Sequence, residues 1–292
     1  MELGKVVLVT GATGKQGGTV ARALLKAGFR VRALTRRPEK AVDLSAAGAQ
    51  VVQGDFEDRS SLAAALKDAD GVFAMSTPFE AGLQAEVSQG MTLVAAAQAA
   101  RVPHLVFTSV ASADRGTGIP HFETKARIEA YLKGMAVPYT ILRPVWFMEN
   151  FGTWLLPFIM QGDLPAPVKP ETCLQMVALK DIGRFAAAAF SDPKRFLGKE
   201  IDLAGDALTF PAVADILSQV MLRSVLFRRI PPEAAERAVG RDFALMYRWF
   251  DETGYDVDIQ ALEKAYGFTP TTFPEFLAAA EWARPAAVGT RS

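Results

Sequence analysis

The sequence predicts an α/β fold in which a doubly wound parallel sheet is followed by a smaller, mostly helical C-terminal lobe. Three observations lead to this prediction. Short apolar runs alternate with helical segments along the first half of the chain, predicted helices stop at glycines, and a glycine-rich turn joins the first strand to the first helix. Strands that alternate with helices imply right-handed crossovers and a parallel sheet of the Rossmann type, covered on both faces.

The first strand is the valine-rich run Lys5–Thr10, whose composition is typical of a strand buried on both faces. A helix from about Gln16 to Ala27 follows, and Gly28 ends it. The further elements are predicted, in chain order, as a strand at Arg30–Thr35, a helix at Pro38–Ala47, strands at Gln50–Gln53 and Gly71–Met75 with an alanine-rich helix between them, a helix near Gly82–Ala100, a strand at His104–Thr108, a helix at Phe122–Lys133 and a strand at Tyr139–Leu142.

The alternation of strands and helices ends near Pro144. Residues 145–170 contain aromatics and prolines without a clear period, as expected of a segment that lines a cleft or covers the edge of the sheet. A helical stretch at Leu179–Phe190 and a strand at Lys199–Ala204 are expected to return to the sheet, so that about 177–206 belongs to the first domain.

We therefore predict a Rossmann domain over residues 1–150 and a capping lobe that binds substrate over 151–292. The lobe is expected to be mostly helical from Phe210 onward, with a last helix at Phe273–Trp282. The tail Pro285–Ser292 is expected to be disordered.

Composition excludes several classes of protein. The chain has 32 Lys and Arg against 32 Asp and Glu, which leaves no overall positive charge for binding duplex nucleic acid. One cysteine and two histidines are too few for a structural zinc site, and a lone cysteine fits a reducing compartment. No apolar run reaches the roughly 18 residues that span a bilayer, and the first residues lack the pattern of a secretory signal. We expect a cytoplasmic protein that binds neither nucleic acid nor membrane.

The glycine-rich turn TGATGKQG at 10–17 has the spacing of a dinucleotide-binding loop. Gly11 permits a tight turn, Gly14 lets the backbone approach a pyrophosphate, and Gly17 lets the helix pack closely on the strand. Free N–H groups at the start of the helix then bind the phosphates. Two side chains are candidates for further hydrogen bonds to the ligand: Thr13 and Gln16. Glycines that serve only a turn are the alternative, but the position between a strand and a helix favours dinucleotide binding.

The end of the second strand predicts which dinucleotide is bound. An NAD site carries an acid there to hold the ribose hydroxyls, whereas this chain has Arg36 and Arg37 after Thr35. A guanidinium suits the 2′-phosphate of NADP(H), and Lys40 could add charge. The alternative is that both arginines are merely solvated. The cofactor predicted is NADP(H).

Gly54 and Asp55 follow the third strand, and Phe56 comes next. In doubly wound folds a side chain at this position reaches the adenine, so Asp55 is a candidate acceptor for the adenine amino group, with Phe56 packed nearby. An ordinary turn acid is the alternative reading of Asp55.

Together these features resemble the NmrA-like family of atypical short-chain dehydrogenases. The resemblance covers Val6 to Phe276 and rests on the stretches VTGATGKQGG at 9–18, LTRRPEK at 34–40, VVQGDFED at 51–58, LVFTSVAS at 105–112, HFETKARIEAYL at 121–132, YTILRPVWFMENF at 139–151 and DIGRFAA at 181–187. It implies an NADP(H)-binding Rossmann domain and a small C-terminal lobe that closes over the nicotinamide. Such proteins divide into reductases of quinones, dyes and aromatic ethers, and cofactor-sensing regulators without clear catalysis.

The resemblance also points to catalytic positions. Short-chain dehydrogenases use a tyrosine and a lysine four residues apart, the lysine holding the nicotinamide ribose and lowering the pKa of the tyrosine. Lys125 occupies the lysine position, but His121 stands where the tyrosine is expected, just after Pro120 at the predicted helix start. A histidine could donate a proton near neutral pH, or it could be a helix-end residue in contact with water. Ser109 and Ser112 are both candidates for the serine partner of the pair, and the alternative is that Val110 fills that position.

By the same resemblance, Phe147 and Asn150 would lie beside the nicotinamide, and Lys125 would bind its ribose. Four aromatic side chains near them suit either an apolar pocket for a flat substrate or ordinary core packing: Trp146, Phe151, Trp154 and Phe158.

The leading hypothesis is an NADPH-dependent reductase of a small quinone-like or aromatic acceptor that binds in a cleft of the C-terminal lobe. Loss of the tyrosine weighs against oxidation of alcohols, which needs a strong base, but not against quinone reduction, which can draw a proton from water. The alternative is a non-catalytic NADP(H) redox sensor that acts through a regulatory protein partner. No metal is expected in either case.

Overall fold

The computed structural model describes residues 4–284. These residues form two compact units. The first unit consists of the chain up to Pro144 together with Leu179–Leu203, and the second consists of Val145–Ala178 together with the chain from Ala204 onward. The tail predicted at Pro285–Ser292 lies outside the described residues, and the assignment of one unit to cofactor and the other to substrate stays a prediction.

Strands and helices alternate along the first unit as the sequence predicts. The described strands are β1 (Val6–Val9), β2 (Arg30–Thr35), β3 (Gln50–Gln53), β4 (Gly71–Ala74), β5 (Leu105–Thr108), β6 (Tyr139–Pro144), β7 (Trp146–Phe147), β8 (Asp163–Ala166), β9 (Cys173–Val177), β10 (Glu200–Leu203), β11 (Asp206–Thr209) and β12 (Leu226–Arg229). The described α-helices are α1 (Lys15–Lys26), α2 (Val42–Ala46), α3 (Arg59–Leu66), α4 (Pro78–Ala81), α5 (Leu83–Ala99), α6 (Pro120–Lys133), α7 (Leu156–Ile159), α8 (Leu179–Ser191), α9 (Pro193–Phe196), α10 (Phe210–Met221), α11 (Pro232–Val239), α12 (Arg241–Glu252), α13 (Ile259–Tyr266) and α14 (Phe273–Ala279).

Seven strands of the first unit form one parallel sheet in the order β10-β6-β5-β4-β1-β2-β3. The chain runs outward from β1 to β3 on one side and from β4 to β10 on the other, so the winding reverses between β1 and β4. The predicted doubly wound α/β fold is confirmed. In such sheets ligands bind beyond the carboxyl ends of the strands at this reversal.

The core of the first unit lies on both faces of this sheet. All four residues of β1 are buried, as its valine-rich sequence predicts. Helix α1 packs closely on α8, where a Cβ added to Gly183 would lie 3.1 Å from the Cβ of Ala23. Helix α5 packs on α6, and a Cβ added to Gly90 would lie 2.5 Å from Cδ1 of Ile128. Small residues therefore let both helix pairs approach closely.

Arg143, in β6, is the centre of a buried network of charges. Its guanidinium makes two hydrogen bonds to the carboxylate of Glu129 in α6, of 2.9 and 2.6 Å. It also donates to Asp114 over 2.9 Å and to Glu200 in β10 over 2.5 Å. One cation thus joins α6, the returning strand β10 and the turn after β5.

The second unit combines short sheets with helices. Strand β9 pairs antiparallel with β11 and parallel with β7, and β8 pairs parallel with β12. An aromatic cluster fills its core, in which the ring centre of Phe151 lies 4.9 Å from that of Phe273 and 6.4 Å from that of Phe210. Helices make up most of residues 210–284, as predicted.

Several boundaries differ from the prediction. The helix expected at Pro38–Ala47 is a 3₁₀ turn, Pro38–Ala41, followed by the short α2, and the helix expected at Phe122–Lys133 begins at Pro120. The last helix ends at Ala279, and a separate 3₁₀ turn covers Glu281–Ala283. The short strands β7, β8, β9, β11 and β12 were not predicted. Among residues 4–284, no helix is long and apolar enough to cross a membrane.

His104, just before β5, is a buried histidine whose pKa differs between the folded and the unfolded chain. Its Nε2 lies 2.8 Å from Oγ1 of Thr140, which donates its own proton to the carbonyl of Phe196. Nε2 is therefore the protonated nitrogen, and Nδ1 has no hydrogen-bond partner among the described residues. Burial lowers the pKa of His104 from 6.5 to about 4.

This pKa predicts a specific loss of stability in acid. Between pH 6.5 and 4 the unfolded chain binds a proton at this histidine and the folded chain does not, so the free energy of unfolding falls as the pH falls, by up to roughly 3 kcal/mol for this group. We expect His104→Gln to remove that part of the pH dependence, measured by urea unfolding at pH 7 and pH 5. If the free energy of unfolding changed equally with pH in the variant and in the natural chain, the lowered pKa of His104 would be contradicted.

Candidate functional site

The turn between β1 and α1 leaves backbone donors unused at the start of the helix. Gly11 has a φ of +60°, a conformation that favours glycine, and its carbonyl accepts from the N–H of Gly14 over 2.9 Å. Helix α1 begins at Lys15, and its N-cap residue, Gly14, has no side chain that could cap the first turn. The first N–H groups of a helix have no acceptor inside it, and they carry the positive end of the helix dipole. This turn can therefore hold an anion such as a phosphate.

Gly17 lies where α1 touches the backbone of the turn. A Cβ added to Gly17 would lie 2.3 Å from the carbonyl oxygen of Gly11 and 2.8 Å from that of Thr10. No side chain fits in that space. The absence of a side chain at Gly17 therefore fixes how closely the helix start approaches β1, as the sequence predicts.

A cleft lies at the carboxyl ends of β1 to β4, and we call it the strand-end cleft. Its lining includes five of the predicted site residues: Gly11, Thr13, Arg36, Asp55 and Phe56. It also includes Met75, Ser76 and Glu80, which come after β4 and were not predicted. The residues come from the loops that directly follow four neighbouring strands, so the topology alone brings them together.

Two side chains that were predicted to contact the cofactor, Gln16 and Asp55, form hydrogen bonds within the protein in this structure. Nε2 of Gln16 donates to Oγ1 of Thr108 over 2.7 Å. Oδ1 of Asp55 accepts a hydrogen bond from the N–H of Glu57 over 3.0 Å. This contact supports the alternative in which Asp55 is an ordinary turn acid. Lys40 is exposed in the 3₁₀ turn after β2 and does not line the strand-end cleft.

Arg36 lies at the rim of the strand-end cleft in an ion pair with Glu80 of α4. Both side chains are more than half exposed, at 52% and 61%, so solvent screens the pair and it contributes little to stability. Arg37 lines the same cleft. Sequence analysis missed Glu80, because 44 residues separate it from Arg36 and only the sheet order makes them neighbours.

Lys125 is largely buried, and three groups surround its ammonium. Nζ lies 2.9 Å from Oε1 of Glu86, 2.6 Å from the carbonyl oxygen of Ser76 and 5.5 Å from the ring centre of Phe107. Because Ser76 lines the strand-end cleft, the ammonium is held next to that cleft.

Glu86 was not predicted as a site residue, although its position in the sequence shows a recognisable pattern. Positions 86, 90, 93, 94 and 97 are all buried on one face of α5, and the spacing puts an acid on an otherwise apolar stripe. A buried carboxylate needs a cationic partner, so an acid on such a stripe indicates an ion pair.

His121 is the second residue of α6, which begins at Pro120, so its predicted place at a helix start is confirmed. The imidazole is half-buried, 4.8 Å from the ring of Phe122 and 6.1 Å from the exposed ring of Phe79. Ser109 and Ser112 are both buried after β5, and the hydroxyl of Ser109 has no hydrogen-bond partner in the described part of the chain.

The remaining predicted residues belong to the second unit. Phe147 is in β7 and Asn150 is in the 3₁₀ turn that follows, both half-buried. Trp146 and Phe151 are buried with ring centres 4.8 Å apart, and core packing accounts for them. Trp154 and Phe158 are 42% and 43% exposed. The roles of Phe147 and Asn150 beside a nicotinamide stay predictions.

The described residues contain no group of three or more His, Cys, Asp or Glu side chains placed to hold a metal ion.

Comparison with known proteins agrees with this geometry. The model of the NmrA-like family matches residues 4–277. The chain is 32% identical over 237 residues to (4-alkanoyl-5-oxo-2,5-dihydrofuran-3-yl)methyl phosphate reductase of Streptomyces griseus, covering 80% of each protein. The chain belongs to the NmrA-like family, whose relatives include NAD(P)-binding oxidoreductases.

Solved structures show the same fold. The NADPH complex of the NADPH-dependent quinone oxidoreductase QOR2 from Escherichia coli superposes with a TM-score of 0.79 at 26% identity, covering 94% of this chain and 98% of that one. The NADP complex of NmrA, a negative transcriptional regulator, superposes with a TM-score of 0.77, covering 96% of this chain and 99% of that one. At 19% identity this second likeness concerns the fold alone. The NADPH bound in the QOR2 structure agrees with the predicted cofactor.

The contact at Gly17 can be tested by adding one methyl group. We expect Gly17→Ala to lower the free energy of unfolding by about 1–3 kcal/mol, because the Cβ would collide with backbone atoms that cannot move independently. The matched control is Gly134→Ala, whose Cβ would lie no closer than 3.4 Å to its neighbours. Equal unfolding curves for the two variants would show that α1 does not depend on this contact.

Proposed function

We propose that this protein is an NADPH-dependent reductase of a small quinone-like or aromatic acceptor. The observation that carries the proposal is the strand-end cleft, where the uncapped start of α1 and two arginines line one space. Free helix N–H groups favour a pyrophosphate, and guanidinium groups favour a further phosphate. A dinucleotide with a 2′-phosphate has both groups, as NADP(H) does.

Each part of NADP(H) has candidate residues in the first unit. The turn from Gly11 to Gln16 would hold the pyrophosphate, and Arg36 and Arg37 would hold the 2′-phosphate. Phe56, which lines the strand-end cleft and packs on the core of the unit, would contact the adenine. Lys125, whose ammonium is beside the cleft, would bind the nicotinamide ribose.

The exposed pair of Arg36 and Glu80 fits this proposal. An exposed ion pair is weak, so a 2′-phosphate with two negative charges can take the place of the Glu80 carboxylate. The guanidinium is held at the rim of the cleft before the ligand arrives.

Bound NADPH supplies a hydride, and reduction of a quinone by two electrons needs one further proton. Within this chain, Lys125 orients the ribose and so the ring that carries the hydride. The proton comes from water or from the imidazole of His121. Such a reaction needs no strong base, in agreement with the absence of tyrosine at 121.

Binding measurements test the role of Arg36. We expect Arg36→Ala to weaken NADPH binding roughly 10- to 100-fold, since a hydrogen bond between charged groups contributes about 1.5–3 kcal/mol. Binding of NADH, which has no 2′-phosphate, should change less than threefold. The control is Arg30→Ala at the opposite end of β2, which should leave both affinities unchanged. Calorimetry that found equal losses for NADPH and NADH in Arg36→Ala would refute the assignment.

Turnover tests whether the protein is an enzyme. We expect NADPH oxidation with at least one member of a panel of quinones and aromatic carbonyls, with kcat lowered 10-fold or more in Lys125→Met and in His121→Ala. Turnover unchanged by both substitutions would refute the proposed catalytic positions. Tight NADPH binding without turnover on any acceptor would favour the redox sensor instead.

A further inference from the structure

We propose that Glu86 is a positioning residue that sets NADPH affinity by holding the ammonium of Lys125 toward the nicotinamide ribose. This inference rests on the proposed function, because it assumes that NADPH binds in the strand-end cleft. None of the sequence motifs contains Glu86, which lies on α5, 39 residues before Lys125.

The Glu86 carboxylate is held from two sides. The side chain is completely buried, with 0% exposure, and Oε1 lies 2.9 Å from Nζ of Lys125. Oε2 accepts a hydrogen bond from the hydroxyl of Thr124, the residue before Lys125 on α6. The two consecutive residues of α6 therefore fix both carboxylate oxygens, and the carboxylate cannot rotate without losing one of the contacts.

The arrangement leaves a donor of Lys125 for a ligand. An ammonium has three N–H groups, of which one donates to the carbonyl of Ser76, while the Glu86 carboxylate holds the ammonium as its ion-pair partner. Ser76 follows β4 and lines the strand-end cleft. The ammonium is thus held from the protein side at the edge of the cleft, and its remaining N–H can reach a ribose hydroxyl.

Burial of the Glu86 carboxylate explains why the position of the Lys125 ammonium is fixed. A carboxylate without solvent is stable only when it is paired, so moving the ammonium away from Glu86 is costly. A lysine that is held before the ligand arrives also loses less side-chain freedom on binding. Glu86 therefore acts on the ligand only through Lys125, and only at the nicotinamide end.

Two ligands separate this role from a purely structural one. NADPH contains the nicotinamide ribose, whereas 2′,5′-ADP contains only the adenosine part with its phosphates. We expect Glu86→Gln to weaken NADPH binding about tenfold in calorimetry and to change 2′,5′-ADP binding less than twofold. The control is Glu200→Gln, which removes a carboxylate that contacts Lys133 and Arg143 in the same unit and should leave the binding of both ligands unaffected.

A double-variant cycle tests whether Glu86 acts through Lys125. We expect Glu86→Gln to cause no further loss of NADPH affinity when Lys125 is already methionine. We also expect the double variant to melt at a higher temperature than Lys125→Met alone, because the latter leaves a buried carboxylate unpaired. If Glu86→Gln does not fold, Thr124→Val keeps the charge and should weaken NADPH about threefold, again without affecting 2′,5′-ADP.

Three results would overturn the inference: equal losses for the two ligands, additive losses in the double variant, or NADPH binding unchanged by the single variants at Glu86 and Thr124. Failure of the proposed function looks different, because then the natural chain itself would bind neither NADPH nor 2′,5′-ADP.

Discussion

The close approach of helix α1 to the turn after β1 is the constraint on which the site depends. With no side chain at Gly17, the start of the helix lies directly on the backbone of Gly11, and the N-cap residue Gly14 has no side chain to occupy the N–H groups of the first turn. The position of the helix start fixes where a phosphate can lie, and the sheet order then fixes which loops surround it. Arg36, Asp55 and Ser76 enter the strand-end cleft because their strands are neighbours of β1 or next to those neighbours.

Two ion pairs of different character border this cleft. The pair of Arg36 and Glu80 is exposed and easily exchanged, which suits a cation that must release its partner when a phosphate binds. The pair of Lys125 and Glu86 is buried and difficult to break, which suits a cation that must keep its position. The difference in burial thus matches the two proposed roles: exposed Arg36 recognises the charge of a phosphate, and buried Lys125 keeps a fixed position for the ribose.

The sequence was sufficient to predict the sheet and the glycine-rich turn between β1 and α1, because both depend on local patterns. The valines of β1, the glycines at 11, 14 and 17 and the arginines after β2 can each be recognised within ten residues. Glu80 and Glu86 could not be matched with their partners in this way, since 44 and 39 residues separate the charges and the fold alone makes them neighbours. The short strands of the second unit were missed because they carry no period and depend on pairing partners far along the chain.

The most direct test of the central claim is a crystal structure of this chain grown with NADP⁺. We expect the pyrophosphate oxygens to accept hydrogen bonds from backbone N–H groups between Gly11 and Gln16, with the 2′-phosphate beside Arg36. A dinucleotide bound elsewhere, with only water at the start of α1, would contradict the placement of the cofactor and the roles derived from it.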